Sequence, residues 1–210
     1  DFATFQRRTV NEKRYDFLIT APHLYYLAQR QAGYRVVARV DARELYAVIV
    51  VRKNSPINSL RDLCGKKMTT PARLALMTAL VRRTVAAIGC KKGNEVTILP
   101  TPTHDAALLN AYKRTSDAAG FVSYTLKMAA PAIRNSMRII GRTESTPHIP
   151  VSVAPWIDRE TAGKFTKILL SLKKTKEGRA ALKKTGYPGF KAATPQEYDV
   201  MEPYAKSINY

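Results

Sequence analysis

The stretch ELYAVIVVRKNSPINSLRDLCGKKMTTPARLALMTALVRR, residues 44–83, decides the fold because it contains a strand, a turn, a short helix, a second strand and a long helix. Its first part, residues 46–52, is a run of apolar and β-branched side chains. The run is too short for a helix and too continuous for a half-exposed strand, so it predicts a strand buried on both faces. The turn signal Asn54-Ser55-Pro56 ends this strand.

The rest of that stretch predicts a second strand between two helices. Ser59 is placed to cap one helical turn over residues 60–63, which Gly65 closes. A short strand follows over residues 66–70. Pro71 then opens a long helix at the position where a missing N–H costs least, and a broad apolar face continues along that helix.

The alternation of strands and helices continues on both sides of this stretch. The other predicted strands cover residues 17–21, 34–40, 96–99, 117–122 and 137–142. The other predicted helices cover residues 2–14, 24–31, 104–113, 123–130, 158–175 and 177–185, with a capping box at Thr194 and Glu197 before a last helix. Such alternation favours α/β layers with a mostly parallel sheet.

A change of composition at residues 143–155, TESTPHIPVSVAP, indicates where the chain turns back. Its three prolines resist a regular helix and favour extended chain. We interpret it as a return crossing paired with the outgoing strand at residues 46–50, so that two extended segments form a hinge. The sequence therefore predicts a two-lobed α/β fold, with residues 1–46 plus 151–210 in lobe 1 and residues 47–150 in lobe 2.

The charge of the chain is strongly positive, because 35 Lys and Arg stand against 16 Asp and Glu, a net charge of +19. This balance is compatible with nucleic acid, an anionic membrane surface or a small anion as partner. Many of the cations solvate helix faces in our interpretation, such as Lys164, Lys167, Lys173, Lys174 and Lys176. No helix-turn-helix, RNA-recognition or finger motif is present, so we expect no nucleic acid partner.

The two cysteines allow two interpretations. Cys64 lies at the start of one predicted strand and Cys90 at the end of the following helix. A helix packed antiparallel on its strand brings those ends together, so a disulfide is possible in an oxidising compartment, and two buried thiols are the alternative. Neither cysteine has a second ligand at close spacing, and the three histidines are scattered, so we expect no metal site.

Several motifs, taken in order, resemble a known family. They are YAVIVVRKNSPINSLRDLCGKKM at residues 46–68, Asp1-Phe2-Ala3, YDFLITAP at residues 15–22, His104-Asp105-Ala106-Ala107 and Tyr187-Pro188-Gly189-Phe190. In this order and spacing they resemble the phosphate and phosphonate solute-binding proteins of ABC importers, which are type II periplasmic binding proteins. The resemblance implies a periplasmic protein that captures a small oxyanion in an interlobe cleft and delivers it to an inner-membrane permease. We expect a monomer without a cofactor.

The start of the sequence differs from the family pattern. Family members carry a strand, a helix and a strand before the element that resembles Asp1-Phe2-Ala3. The sequence begins at Asp1, without a signal peptide or a run of about 18 apolar residues that could span a membrane. We expect a mature or truncated product, in which lobe 1 lacks those elements unless a longer chain supplies them.

Candidate ligand-binding residues follow from the resemblance and from the strand ends. The resemblance makes His104 a cleft histidine, Phe2 the counterpart of a cleft tyrosine, and Tyr46 a second cleft aromatic or its neighbour. Hydroxyls that could bind an anion follow two strands, at Thr69, Thr70 and Thr103, with Arg73 as a bidentate partner and His23 as a further candidate. Helix capping is the alternative role for each hydroxyl, and core packing for the two aromatic rings.

Two departures from the family affect the choice of ligand. Phosphonate binders have a Ser- and Thr-rich turn where this chain has Arg73-Leu74-Ala75-Leu76-Met77. Tyr124 and Ile149 stand where the resemblance places acidic residues that receive an aminoalkyl group. We therefore expect an oxyanion other than an aminophosphonate, or a ligand with an apolar part.

Other functions remain open at this point. The same fold could serve as the extracytoplasmic sensing domain of a signalling receptor, and the charge of +19 leaves a basic nucleic-acid-binding protein as an alternative. A transferase on this fold is a third possibility. The sequence contains no G-x-S-x-G, P-loop or G-x-G-x-x-G motif, so we expect no catalysis and no catalytic residue.

Overall fold

A computed structural model describes residues 2–42 and 44–206, which divide into two units. Unit 1 contains the described residues up to Leu45 and those from Thr146 onward, and unit 2 is Tyr46–Ser145. The chain therefore passes from one unit to the other twice.

The described residues form α-helices and β-strands that alternate along most of the chain. The helices are α1 (Phe2–Val10), α2 (Pro22–Ala32), α3 (Leu76–Ala86), α4 (His104–Tyr112), α5 (Ser123–Met128), α6 (Pro131–Ser136), α7 (Arg159–Ser171), α8 (Lys176–Thr185) and α9 (Glu202–Lys206). The strands are β1 (Phe17–Ile19), β2 (Arg35–Val40), β3 (Ala47–Arg52), β4 (Lys67–Thr70), β5 (Thr97–Pro100), β6 (Ala118–Val122), β7 (Met137–Arg142), β8 (Pro150–Val153) and β9 (Phe190–Lys191). Further 3₁₀ segments lie at Leu60–Leu63, Leu172–Lys174 and Pro195–Met201.

The sheet of unit 1 has the strand order β1-β8-β2-β9, and its pairings are antiparallel. Strands β1 and β2 run in the same direction, but the return strand β8 lies between them, with Val153 opposite both Phe17 and Arg35. The inner faces of α7 and α8 cover this sheet. Leu169 and Leu182 belong to one buried cluster with residues of β2, β8 and β9.

The sheet of unit 2 has the strand order β5-β4-β6-β3-β7. Strand β4 is parallel to β5 and β6, whereas β3 is antiparallel to β6 and β7. The prediction of a mostly parallel sheet was therefore wrong for unit 1, and in unit 2 it holds for β5, β4 and β6 but not for the two pairings of β3. The reason is that the outgoing strand β3 and the return strand β8 insert beside strands of the opposite direction, and hydrophobic periodicity does not encode strand direction.

Helices cover both faces of the unit 2 sheet, as the buried run of β3 predicted. On one face α4 packs Ala107, Leu108 and Ala111 against β3 and β6 in a single cluster. On the other face α3 approaches β6 so closely that a Cβ on Gly120 would lie 2.7 Å from Val81 Cγ2. Glycine at position 120 thus permits the contact between α3 and the sheet.

The helix starts largely follow the predicted capping residues. Thr103 accepts a hydrogen bond from Ala106 N at 3.0 Å, and capping boxes form at Ser59 with Asp62 and at Thr194 with Glu197. The long helix is the exception, because α3 begins at Leu76 and not at Pro71. Residues 71–75 instead form a turn.

Hydrogen bonds hold that turn before α3 in a non-helical conformation. Ala75 N donates to Ala72 O at 2.8 Å, and Thr78 Oγ1 donates to Pro71 O at 3.0 Å. Proline is tolerated at a helix start, but it does not fix the start at its own position.

The outgoing and return segments pair where the chain changes unit. In unit 1, Leu45 and Thr146 exchange two backbone hydrogen bonds of 3.2 and 2.9 Å. In unit 2, Thr143 N donates to Ala47 O at 3.0 Å, and Thr143 Oγ1 accepts from Ala47 N at 3.0 Å. The predicted return crossing thus runs beside the outgoing segment.

Cys64 and Cys90 form a disulfide, with their Cα atoms 5.6 Å apart. The bond joins the end of the 3₁₀ segment Leu60–Leu63 to the chain that follows α3. Of the two interpretations that the sequence left open, the structure contains the disulfide.

Gly178 in α8 lies where there is no room for a side chain. A Cβ on Gly178 would lie 2.1 Å from Leu172 O, a backbone atom, because α8 packs tightly against the 3₁₀ segment Leu172–Lys174. We expect Gly178→Ala to lower the free energy of unfolding by about 2 kcal/mol, as overpacking does, measured by urea denaturation.

The matched control is Gly163→Ala in α7, where a Cβ would meet nothing within 4 Å. Alanine is the better helix former by about 0.5–1 kcal/mol, so this variant should be slightly more stable than the parent chain. Equal destabilisation by both substitutions would contradict the close approach at Gly178.

Candidate functional site

The strand order of unit 2 identifies the edge of the sheet at which a ligand is expected. Strand β4 is joined to β5 through α3, and β5 is joined to β6 through α4. Strands β5 and β6 lie on opposite sides of β4, and the two helices cover opposite faces. Ligands of open α/β sheets bind beyond the carboxyl ends of the strands at such a switch point.

Thr70 lies at this edge as the last residue of β4 and is fully buried. Its carbonyl accepts hydrogen bonds from Thr101 N at 2.7 Å and from Thr101 Oγ1 at 2.9 Å. Its own hydroxyl has no hydrogen-bond partner among the described residues. A buried polar group without a partner costs about 1–3 kcal/mol, so this hydroxyl is a candidate donor to a ligand.

His104 lies at the same edge as the first residue of α4, directly after the capping residue Thr103. Its Nδ1 accepts a hydrogen bond from Val122 N, the last residue of β6, at 3.3 Å. Burial lowers the pKa of His104, with a smaller opposing effect of Asp105, so the ring is neutral at pH 7. With Nδ1 as acceptor the hydrogen is on Nε2, and Nε2–H is the donor that a ligand can use.

Tyr46 completes this group of residues. It precedes β3, whose first residue Ala47 is opposite Val122 in β6, and its carbonyl accepts from Ser123 N at 3.1 Å. The ring is partly buried against the cluster around α4, and the Arg142 guanidinium lies 5.9 Å from the ring centroid. The structure thus places four predicted residues at this edge of the sheet: Tyr46, Thr70, Thr103 and His104.

Thr69 points to the opposite face of β4 from Thr70, towards α4. Its hydroxyl is buried, donates to Ala107 O in α4 at 3.0 Å and lies 3.1 Å from Ser116 Oγ. These contacts fasten α4 to the sheet. They leave the hydroxyl engaged inside unit 2.

Arg73 is exposed and lies in the turn before α3. Since α3 begins at Leu76, this arginine is not part of the helical first turn in which the sequence placed it. The N-cap position of α3 is Ala75, which has no side-chain oxygen to accept a hydrogen bond. The absence of hydroxyls here agrees with the departure noted in the sequence.

Two predicted site residues belong to unit 1. His23 is the second residue of α2 and is buried, with an exposed fraction of 1%. Phe2 is the first residue of α1, and its side chain lies outside the described part of the structure.

Two contributors to the site were not singled out from the sequence. Thr101 is buried and ties down the loop between β5 and α4, because its hydroxyl lies 2.9 Å from both Thr70 O and Thr103 O and its one hydrogen is shared between these acceptors. Threonine directly after a strand was a signal for this role. Val122 acts through its backbone N–H on His104, and no sequence pattern reveals a backbone donor.

The residues at the departures from the family have different surroundings. Tyr124 follows the edge in α5 and is about half exposed. Ile149 is partly buried in unit 1, against the cluster beneath α7 and α8. Neither side chain supplies a carboxylate for an amino group.

This edge of the sheet carries groups of the kinds that bind anions. It offers an imidazole N–H, threonine hydroxyls and the start of α4, whose N–H groups favour negative charge. No cluster of three or more His, Cys, Asp or Glu that could hold a metal ion occurs in residues 2–42 and 44–206. No helix in the same ranges has the length and apolar character of a membrane span.

Comparison with known families gives one match over most of the chain. Residues 1–198 match the family described as "ABC transporter, phosphonate, periplasmic substrate-binding protein". No curated protein matches the sequence significantly.

Solved structures with this fold include three transport proteins. PhnD1 from Prochlorococcus marinus in complex with methylphosphonate is 17% identical with a TM-score of 0.84, over 100% of this chain and 84% of that one. A binding protein component of an ABC phosphonate transporter from Pseudomonas aeruginosa is 16% identical with a TM-score of 0.80, over 97% and 72%. The periplasmic aliphatic sulphonate binding protein SsuA from Escherichia coli is 18% identical with a TM-score of 0.67, over 98% and 77%. These similarities confirm the predicted periplasmic-binding-protein-like fold.

Proposed function

Because the chain belongs to the family of periplasmic substrate-binding proteins of phosphonate ABC transporters, we propose that it captures a small oxyanion at the edge formed by Tyr46, Thr70, Thr103 and His104. The proposal includes delivery of that solute to an inner-membrane permease by a monomer that performs no catalysis. Family membership does not favour the two alternatives, a receptor sensing domain and a nucleic-acid-binding protein.

The observation that carries the proposal is the hydrogen bond from Val122 N to His104 Nδ1. It fixes a neutral imidazole with its hydrogen on Nε2, at the start of α4, beside the capping hydroxyl of Thr103. A neutral N–H donor, a hydroxyl and a helix N-terminus bind an oxyanion without placing a full positive charge opposite it.

The ligand class follows from the groups that the site lacks. Methylphosphonate is the ligand of PhnD1, and aliphatic sulfonates are the ligands suggested by the name of SsuA. Tyr124 and Ile149 supply no carboxylate, so we propose an alkyl phosphonate, alkyl sulfonate or inorganic oxyanion and not an aminophosphonate. The predicted lobes, 1–46 plus 151–210 and 47–150, are the proposed halves that close on it. Phe2, Thr69, Arg73 and His23 stay candidates whose contacts with ligand are untested.

A thermal-shift screen tests the proposal. Purified protein is melted with methylphosphonate, phosphate, phosphite, sulfate, ethanesulfonate or 2-aminoethylphosphonate. A ligand at one hundred times its dissociation constant adds about 2.7 kcal/mol to stability, which a melting curve resolves. We expect a shift from at least one oxyanion and none from the aminophosphonate.

Variants then locate the site by calorimetry with the strongest ligand. A hydrogen bond to a charged group contributes about 1.5–3 kcal/mol, so His104→Ala should raise the dissociation constant about tenfold or more. Thr70→Val removes a hydroxyl at constant shape and should weaken binding severalfold. Thr115→Val removes an exposed hydroxyl that donates to Asn110 O, beyond the other end of α4, and should leave binding unchanged.

The melting temperature of each variant without ligand separates binding from folding, because His104→Ala also removes the acceptor for Val122 N. Silence from every oxyanion would overturn the proposed ligand class. Equal affinity of His104→Ala and the parent chain would overturn the proposed site.

A further inference from the structure

One segment of unit 1 has an unusual charge. Residues 164–191 contain one acidic residue, Glu177, against nine cations. We call these cations the basic surface: Lys164, Lys167, Lys173, Lys174, Lys176, Arg179, Lys183, Lys184 and Lys191. The proposed oxyanion site lies in unit 2, so it gives this surface no role.

The helices that carry most of the basic surface are packed on the sheet of unit 1. Helices α7 and α8 bury Leu169 and Leu182 against the sheet, together with Phe190 of β9. Lys176, Arg179 and Lys183 are exposed, and their spacing i, i+3 and i+7 places them on one side of α8. The cations therefore lie on the outward side of a packed helical layer.

Close contacts join the pieces of this surface. Gly178 lets α8 approach Leu172, and a Cβ on Gly189 would lie 2.1 Å from Lys173 Cε. Arg179 also donates from its guanidinium to Lys173 O at 3.1 Å. The cations of α8 thus lie beside those of the 3₁₀ segment Leu172–Lys174, which directly continues α7.

Most of this charge is not neutralised within the chain. Lys164 pairs with Glu160 at 2.7 Å and Lys173 with Asp41 at 2.5 Å. Other cations of the basic surface form no ion pair with any described residue. These include Lys167, Lys174, Lys176, Lys183 and Lys184. Uncompensated cations on a fixed surface attract an extended anionic partner.

Two features indicate which anionic partner fits. Eight of the nine cations are lysines, which act as mobile point charges and suit a diffuse anionic surface better than a bidentate site. Ile168, next to Lys167 and one helical turn from Lys164, has an exposed fraction of 60%. An aliphatic side chain among lysines is typical of a helix that lies against a lipid surface.

We propose that the basic surface docks unit 1 onto a membrane surface that contains anionic phospholipids. The lysines are attracted to the headgroups, and Ile168 inserts at their boundary with the acyl chains. Docking of this kind concentrates a binding protein at the membrane that holds its permease. It does not depend on which solute the oxyanion site binds.

Vesicle flotation tests the proposal with the intact chain. We compare vesicles of phosphatidylcholine alone with vesicles that contain about 30% phosphatidylglycerol, because the attraction requires anionic lipid. We expect binding only to the anionic vesicles, and its loss between about 0.05 and 0.5 M salt as the charges are screened.

The variants locate the surface. Each cation near an anionic membrane changes partitioning about fivefold, so Lys167→Gln with Lys176→Gln and Lys183→Gln should lower it about a hundredfold. The matched control removes three exposed lysines of unit 2, Lys91, Lys92 and Lys113, by the same substitution. It should change partitioning by less than about twofold, because distant exposed charges are screened.

A third variant and a competing partner complete the test. Ile168→Ser keeps all the charge and should still weaken vesicle binding severalfold. Equal losses of vesicle binding in the two triple variants would overturn the proposal, because the total charge of the protein would then account for the binding. Absence of vesicle binding, or tighter binding to duplex DNA through the same lysines, would overturn it as well. Oxyanion binding is measured separately and should be unchanged in all these variants.

Discussion

Replacing Cys64 and Cys90 together by serine is expected to lower the free energy of unfolding by about 3.5 kcal/mol. The disulfide joins residues 26 positions apart, and the entropy of closing a loop of that size in the unfolded chain gives this magnitude. The loop contains β4 and α3, so its loss loosens the part of unit 2 that carries Thr70. Urea denaturation of both chains, fitted with a common slope, measures the difference.

Reduction provides the control for the disulfide. The parent chain with dithiothreitol should lose the same stability as the double variant, and the reductant should not affect the double variant. A double variant as stable as the oxidised parent would contradict the prediction. A change in the slope of unfolding free energy against urea concentration would instead show that the substitutions alter the compactness of the unfolded state.

The disulfide could be predicted from the sequence only as one of two possibilities. The helix-on-strand pattern put Cys64 and Cys90 at ends that meet, which made the bond possible. Pairing depends in addition on the direction of each Cα–Cβ bond. Here Gly65 and Gly89, next to the two cysteines, have φ angles of +74° and +72°. The left-handed backbone at these glycines shapes both ends, and periodicity does not report it.

The direction of strand pairing is a second feature that the sequence did not fully predict. The run at β3 correctly predicted a strand buried on both faces, because local composition determines burial of a continuous apolar run. Its antiparallel pairing with β6 and β7 depends on a chain that returns about 70–90 residues later. Such long-range pairing leaves no local pattern, so strand-helix alternation predicted the parallel pairings of β4 but missed the antiparallel pairings of β3.

In the candidate site, too, the sequence predicted the residues but not their surroundings. Thr69 and Thr70 are adjacent in the sequence and equally plausible there, but successive side chains of a strand point to opposite faces. Because both faces of this sheet are covered, composition could not show which threonine hydroxyl is hydrogen-bonded inside unit 2. The structure gives the Thr69 hydroxyl three buried neighbours and gives the Thr70 hydroxyl none among the described residues.

The C-terminal segment of unit 1 depends on one buried phenol. Tyr198 is fully buried, and its O–H donates to His148 O at 2.9 Å. Its ring meets the Tyr25 ring edge-on at a centroid distance of 5.0 Å. The Tyr25 hydroxyl in turn accepts a hydrogen bond from Val36 N at 3.1 Å. The two tyrosines therefore link the last 3₁₀ segment to α2 and β2. Burial raises the pKa of Tyr25 to about 12 and raises that of Tyr198 as well, so both phenols are protonated at neutral pH.

We expect Tyr198→Ala to lower the free energy of unfolding by about 3–5 kcal/mol, because it removes a large side chain from a closed core. Tyr198→Phe keeps the ring and should cost about 1–2 kcal/mol, the effect of leaving His148 O without its donor. The exposed neighbour Val200 is the control, and Val200→Ala should stay within about 0.5 kcal/mol of the parent. If Phe costs as much as Ala, the hydrogen bond and not the ring holds the segment. If Ala costs no more than the Val200 variant, the segment does not unfold together with the rest of unit 1.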